Sequence, residues 1–246
     1  MRWRLLAVGL AAYALGLLVY APATLIDAAL GQVSSGRLRL AEARGTLWSG
    51  AGLIEIRASG GKTGVAKSIA WRFLPQSLLR GHLDCEIRLD QTDRGFPVAI
   101  YPSQIELSDA TIAFPAMILG LVVPKLGPLR LTGEVLIRVA HLSFGLGGTR
   151  GSATLQWHDA GSALTTVSPL GDYQLNLDSE TAIAKMTLST LKGPLQIDGG
   201  GTWPAGGRPS FLATALVPRE YQDQLEPLLR LIAVERGQGR FALQLN

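Results

Sequence analysis

Leu83, Cys85, Ile87 and Leu89 alternate with Asp84, Glu86, Arg88 and Asp90. Successive side chains of an extended chain point to opposite faces, so this stretch has one dry face and one wet face. That is the pattern of a half-buried antiparallel strand. Cys85 lies on the dry face, where cysteine behaves as a small buried hydrophobe. Shorter versions of the pattern recur at 37–40, 53–57, 68–73, 104–107, 110–114, 129–131, 134–139, 151–157, 173–177, 182–188, 195–197 and 211–216. Gly and Pro punctuate them, as strand-and-turn chains require. The sequence therefore predicts a mainly β fold: an antiparallel, curled β-sheet body with a few short helices.

The N-terminus breaks this pattern. Arg2 and Arg4 precede an uncharged run over 5–24, interrupted by Pro22. Residues 3–23 are 21 in number, and a bilayer core takes roughly 20 apolar residues as a helix. A single transmembrane helix is predicted here, with Trp3, Leu5, Leu10, Leu17 and Ala23 as anchor residues. The first charge after the run is Asp27. The positive-inside rule then puts the N-terminus in the cytoplasm and the body outside, in a bacterial periplasm. Ala21-Pro22-Ala23 has small residues at the two positions that a signal peptidase reads, so a cleaved leader is the competing reading. The run is longer than the usual h-region of about 7–15 residues, which favours an uncleaved anchor.

One body segment has helical spacing. Tyr221, Leu225, Leu228, Leu229 and Ile232 share one helix face, predicting a helix over about 219–235. Pro227 requires a kink there or a start near Glu226. Phe241, Leu243 and Leu245 then alternate as a closing strand. The apolar run 116–123 lies between Pro115 and Pro124, and periodicity alone does not separate a helical turn from a buried segment.

Composition excludes several function classes. Without Arg2 and Arg4 the body has 21 Lys+Arg against 19 Asp+Glu, and no basic stripe of the kind nucleic-acid binding needs. Cys85 is the only cysteine, so the body is not stapled by disulfides and depends on its own core. His82, His141 and His158 fall in no metal-ligand spacing. No G-x-S-x-G elbow is present. Residues 147–151 are glycine-rich but lack the lysine of a phosphate loop, and read as a hairpin turn. Gly199-Gly200-Gly201 reads as a bend or bulge in a sheet. With no catalytic motif, no cofactor and no metal are expected, and the chain is read as a non-enzyme.

Gly127-Pro128-Leu129-Arg130-Leu131-Thr132-Gly133 resembles Gly193-Pro194-Leu195-Gln196-Ile197-Asp198-Gly199. Trp71 and Trp157 each close an alternating stretch. Together these suggest an anchor at 1–24 and two related β-units at 25–125 and 126–246, the second carrying the C-terminal helix. The bland alternative is that glycine-bounded strands look alike by composition alone.

Four further motifs occur in order: Gly45-Thr46-Leu47-Trp48-Ser49-Gly50, the segment from Trp71 through Pro75 and Leu79 to Gly81, Gly193-Pro194-Leu195, and Gly199-Gly200-Gly201-Thr202-Trp203. The leucine-rich stretch 225–232 follows. This ordered set resembles the type II secretion system protein N family, also called general secretion pathway protein N. The resemblance implies an inner-membrane protein with a periplasmic β-rich domain. Its function would be that of an accessory part of the machine that exports folded proteins across the outer membrane, and its partners other secretion subunits. The motif residues would be structural: Gly45, Gly50 and Gly81 permitting turns, and Trp48, Trp71 and Trp203 anchoring sheet packing. A membrane-anchored β-groove that binds or transfers lipid is the rival function.

Overall fold

The computed structural model describes residues 2–57, 63–90, 95–122, 124–145, 148–180, 183–204, 207–230, 233–237 and 240–245. The fold is mainly β, with antiparallel strand pairing and a few short helices. The chain divides into two compact units, Met1–Gly95 and Phe96–Asn246.

Unit 1 opens with helices α1 (Arg2–Val19) and α2 (Thr24–Val33). Four strands follow: β1 (Leu38–Gly45), β2 (Ser49–Arg57), β3 (Thr63–Leu74) and β4 (Leu83–Leu89). Each pairs with its neighbour in sequence. A 3₁₀ turn at Pro75–Arg80 joins β3 to β4. Cys85 is buried opposite Phe73, and that burial pushes its thiol up to about 11, against a backbone hydrogen bond that lowers it. Asp27 on α2 fixes that helix to β1. Its carboxylate accepts from Arg39 Nε (2.9 Å), Arg39 Nη2 (2.8 Å) and Leu40 N (2.8 Å).

The expected membrane span is corrected here. The helix covers 18 residues and stops at Val19, short of Pro22. At about 1.5 Å per residue it is some 27 Å long, against roughly 30 Å of hydrocarbon core. Among the described residues no helix is long and apolar enough to cross a membrane. The physical reason is local. Residues 21–23 leave the helix to pair beside the turn after β1, and Ala23 is 98% buried there, its exposure being 2%. By contrast Trp3, Leu5, Leu10 and Leu17 are exposed.

Unit 2 contains β5 (Phe96–Ile100), β6 (Gln104–Pro115), α3 (Met117–Val122), β7 (Leu131–Gly145), β8 (Gly148–Ser162), β9 (Gly171–Ser179), β10 (Ile183–Lys192), β11 (Gln196–Pro204), β12 (Ser210–Leu216), α4 (Gln222–Leu229), β13 (Val234–Gly237) and β14 (Arg240–Leu245). Neighbours in sequence are neighbours in the sheet up to β12, after which the order is β12-β14-β13. One face carries the row Ile112, Ile137, Leu155, Leu175 and Leu188, each opposite the next. The other carries Arg138, Gln156, Gln174, Asn176 and Thr154, which hydrogen-bond to one another across β7, β8 and β9.

The core of unit 2 gathers Val135, Ala215 and Phe241 from the sheet and Leu195 from the bend before β11, under Leu225, Leu228 and Leu229 of α4. The loop 163–170 is tied to α4 through Thr165 Oγ1 to Gln224 O (3.1 Å) and Thr166 Oγ1 to Gln224 Oε1 (3.2 Å). Asp172, on β9, is also buried. Desolvation alone would raise its pKa. The Asp159 N–H, Lys192 and His158 outweigh that and hold it below the ordinary carboxylate value.

Two further expectations differ from the structure. The helix predicted over 219–235 is a 3₁₀ turn at Arg219–Tyr221 followed by eight residues of α4, because 234–237 are drawn into strand pairing with β14; Ile232 lies outside the described residues. The glycine triplet 199–201 is regular strand with continuous pairing on both sides, not a bulge. Gly199 instead permits close approach, since a Cβ there would lie 2.5 Å from that of Ala213. The hairpin reading of 147–151 falls partly outside the described residues, but Gly145 pairs with Gly148 across it. Leu225 is fully buried against the sheet. Leu225→Ala should lower unfolding stability by about 2–5 kcal/mol, read from urea denaturation midpoints.

Candidate functional site

Gly45, Thr46, Leu47, Trp48, Gly50 and Trp71 converge on the turn between β1 and β2. Gly45 ends β1 at φ +94°, where a side chain is strained, and a Cβ there would lie 2.5 Å from Ser49 O. Thr46 N donates to Ser49 O (2.9 Å), and Ser49 N donates to Thr46 Oγ1 (3.2 Å), closing the turn. The outer side of the turn then binds the segment that follows α1. Leu47 N donates to Ala21 O (2.7 Å), Ala23 N donates to Gly45 O (3.3 Å), and Pro22 bridges Thr46.

Two tryptophans complete this junction. Trp48 Nε1 donates to Leu18 O in the last turn of α1 at 2.8 Å. Its ring meets Phe73 edge-on, with centroids 6.5 Å apart. Trp71 is buried, and its Nε1 donates to Leu47 O at 3.1 Å. The indole lies over Gly50, where a Cβ would be 2.5 Å from Trp71 Cζ2. Glycine at 50 is therefore required by the ring above it and by Arg44 O, which the same Cβ would meet, and not by its own backbone angle.

The remaining motif residues take other places. Pro75 opens the 3₁₀ turn and Gly81 closes it in the left-handed region at φ 82°. Leu79, on that turn, is 93% exposed. Gly193 stands at φ +125°, where a Cβ would meet the Gly171 backbone, and Pro194 leads into Leu195, which is buried in the core of unit 2. Leu195 O accepts from Tyr173 Oη at 2.8 Å. Gly201 leaves room for Phe211, whose Cδ2 would lie 2.8 Å from a Cβ. Trp203 is 40% exposed, with Nε1 donating to Gly207 O at 3.3 Å.

Trp157 repeats the behaviour of Trp71 in unit 2. It donates to Thr132 O at 3.0 Å from 25 residues away, as Trp71 donates to Leu47 O from 24. Each indole satisfies a carbonyl beside a strand irregularity, the second at Gly133 with φ +99°.

The histidines are dispersed. His82 faces Asp84 (3.4 Å), His141 faces Ser108 (3.2 Å) and His158 faces Asp172 (3.6 Å). Among the described residues no group of three or more His, Cys, Asp or Glu side chains is placed to hold a metal ion. A small cavity beside Trp71, about 110 Å³ and lined by Ser49, Gly50, Arg72 and Glu86, falls below the roughly 300 Å³ of ordinary ligand pockets. What the junction does is mechanical: it clamps the end of α1 to the first hairpin. Sequence reasoning found the clamping residues but missed their partners Leu18 and Ala21, because backbone carbonyls carry no residue signature. Gly50→Ala should destabilise unit 1 by about 1–3 kcal/mol through overpacking against Trp71. Trp71 fluorescence followed through denaturation measures it, with the four other tryptophans replaced by Phe in both proteins compared.

The family model for type II secretion system (T2SS) protein N matches residues 36–244. No curated protein and no solved structure matches the chain. The match takes in both units from β1 to β14, including the Thr46–Gly50 turn, Trp71 and the 193–203 segment, and so the chain belongs to the type II secretion system protein N family.

Proposed function

We propose that this protein is a non-enzymatic accessory component of a bacterial type II secretion system, supporting protein export across the outer membrane by binding other secretion subunits. The family match over residues 36–244 carries this reading. Its β body works on the periplasmic side, held at the inner membrane by α1. The support for membrane contact is the character of that helix. It is apolar on all sides, and Leu5, Leu6, Val8, Leu10, Tyr13 and Leu17 are all exposed. A helix of that kind belongs in lipid or in a protein interior.

Subunit contact is through strand addition at an open edge. In unit 1 the edge strand β1 is blunted, since Asp27 occupies the Leu40 N–H and the register shifts between Ala41 and Arg44. In unit 2 the terminal strand β13 presents Val234, which is 67% exposed. A photo-crosslinker at Val234 in secreting cells should capture a secretion subunit, whereas one at Arg138 on the polar sheet face should not. Capture from neither position would count against the edge-pairing mode.

A second reading, lipid holding, is favoured by one observation. Ile112, Ile137, Leu155, Leu175 and Leu188 form an unbroken apolar row that is only half-buried. Native mass spectrometry of the purified chain tests it: co-purifying phospholipid is the outcome that this reading requires, and lipid-free protein rejects it.

A further inference from the structure

Trp48 brings α1 and the Pro75–Arg80 turn together. Its indole holds Leu18 O, its ring packs on Phe73, and its carbonyl accepts from Phe73 N at 2.7 Å. Phe73 is two residues before Pro75. The last turn of α1 and the start of the 3₁₀ turn therefore flank one side chain.

The turn displays leucines. Leu74, Leu78 and Leu79 are all exposed, Leu79 almost completely. A single exposed leucine is ordinary, but three within six residues form a patch. They are held in place as well. Ser77 is buried, its hydroxyl donates to Leu74 O (2.7 Å) and accepts from Asp84 N (2.8 Å), and Gly81 closes the turn. Residues 71–81 include Arg72 and Arg80 and no Asp or Glu, and on β4 Glu86 stands opposite Arg72 and Asp84 opposite Leu74, so the cation of the turn itself is Arg80. Fixed leucines beside a cation suit the boundary between acyl chains and anionic headgroups.

We infer that Leu78, Leu79 and Arg80 form a second membrane-contact point, seated in an anionic phospholipid surface beside the point where α1 ends. This rests on the reading that α1 lies in a bilayer. With α1 as the one attachment, unit 1, clamped to it at Leu18, Ala21 and Ala23, would tilt and turn with that helix in the bilayer. With two, unit 1 is held in a fixed attitude to the membrane plane.

The test uses the full chain with Leu79→Cys carrying an environment-sensitive fluorophore. Cys85, buried and with its thiol pushed up to about 11, escapes labelling. Parallel proteins carry the label through Leu10→Cys on α1 and Leu191→Cys on β10. Each is mixed with vesicles of phosphatidylglycerol and phosphatidylcholine containing nitroxide-labelled lipid. The expected result is a blue shift and quenching at 79 and at 10, with 191 unchanged. Quenching at 10 with a water-exposed label at 79 overturns the second contact while leaving the α1 reading intact. Water-exposed labels at both 10 and 79 overturn both readings. Quenching at 191 equal to that at 79 shows general adsorption and also overturns the proposal.

Discussion

An indole donating to a main-chain carbonyl holds unit 1 in its form. Trp71 reaches from the middle of β3 to Leu47 O, in the turn between β1 and β2, and in doing so covers Gly50. A buried carbonyl without a donor costs about 1–3 kcal/mol, so the bond matters more for what its loss would expose than for its own strength. The turn it braces is the one that Ala21, Pro22 and Ala23 pair against. Ring, glycine, turn and helix end are thus one chain of dependence. Trp157 makes the same kind of bond to Thr132 O, where the register of β7 on β8 shifts.

In unit 2 the burden falls on apolar burial. Helix α4 is short, contains Pro227 and would not persist alone, since isolated helices below about 12 residues are marginal. Its leucines are nevertheless among the most deeply buried side chains of the chain. The helix exists because the sheet beneath it needs a cover, and the 163–170 loop ties it down through Gln224.

Period-two alternation made most of the strands legible, and Leu83–Leu89 emerged with the boundaries its pattern marks. Legibility failed where local chemistry broke the period. Pro97 hid β5, which no alternation announces. Asp109, at φ +49°, interrupted the pattern of 104–114, yet β6 runs through it as one strand. The N-terminal apolar run looked long enough for a bilayer because hydropathy does not register that Ala21 and Ala23 have main-chain partners 26 and 22 residues ahead in the chain, at Leu47 and Gly45. At the candidate site, Gly45, Gly50, Trp48 and Trp71 were visible as residue types, but their mutual contact belongs to the fold.

The strand order of unit 2 has a consequence for the way the chain is made. From β6 to β12 every strand pairs with the one before it, so each can dock as soon as it has been synthesised. The final pair breaks that rule, with β14 entering between β12 and β13. Until residues 240–245 arrive, β12 has an unpaired side and the core lacks Phe241. The sheet grows like a zip and then waits for its slider: a nascent chain halted before residue 240 would hold nearly all of its strands and still present an adhesive edge.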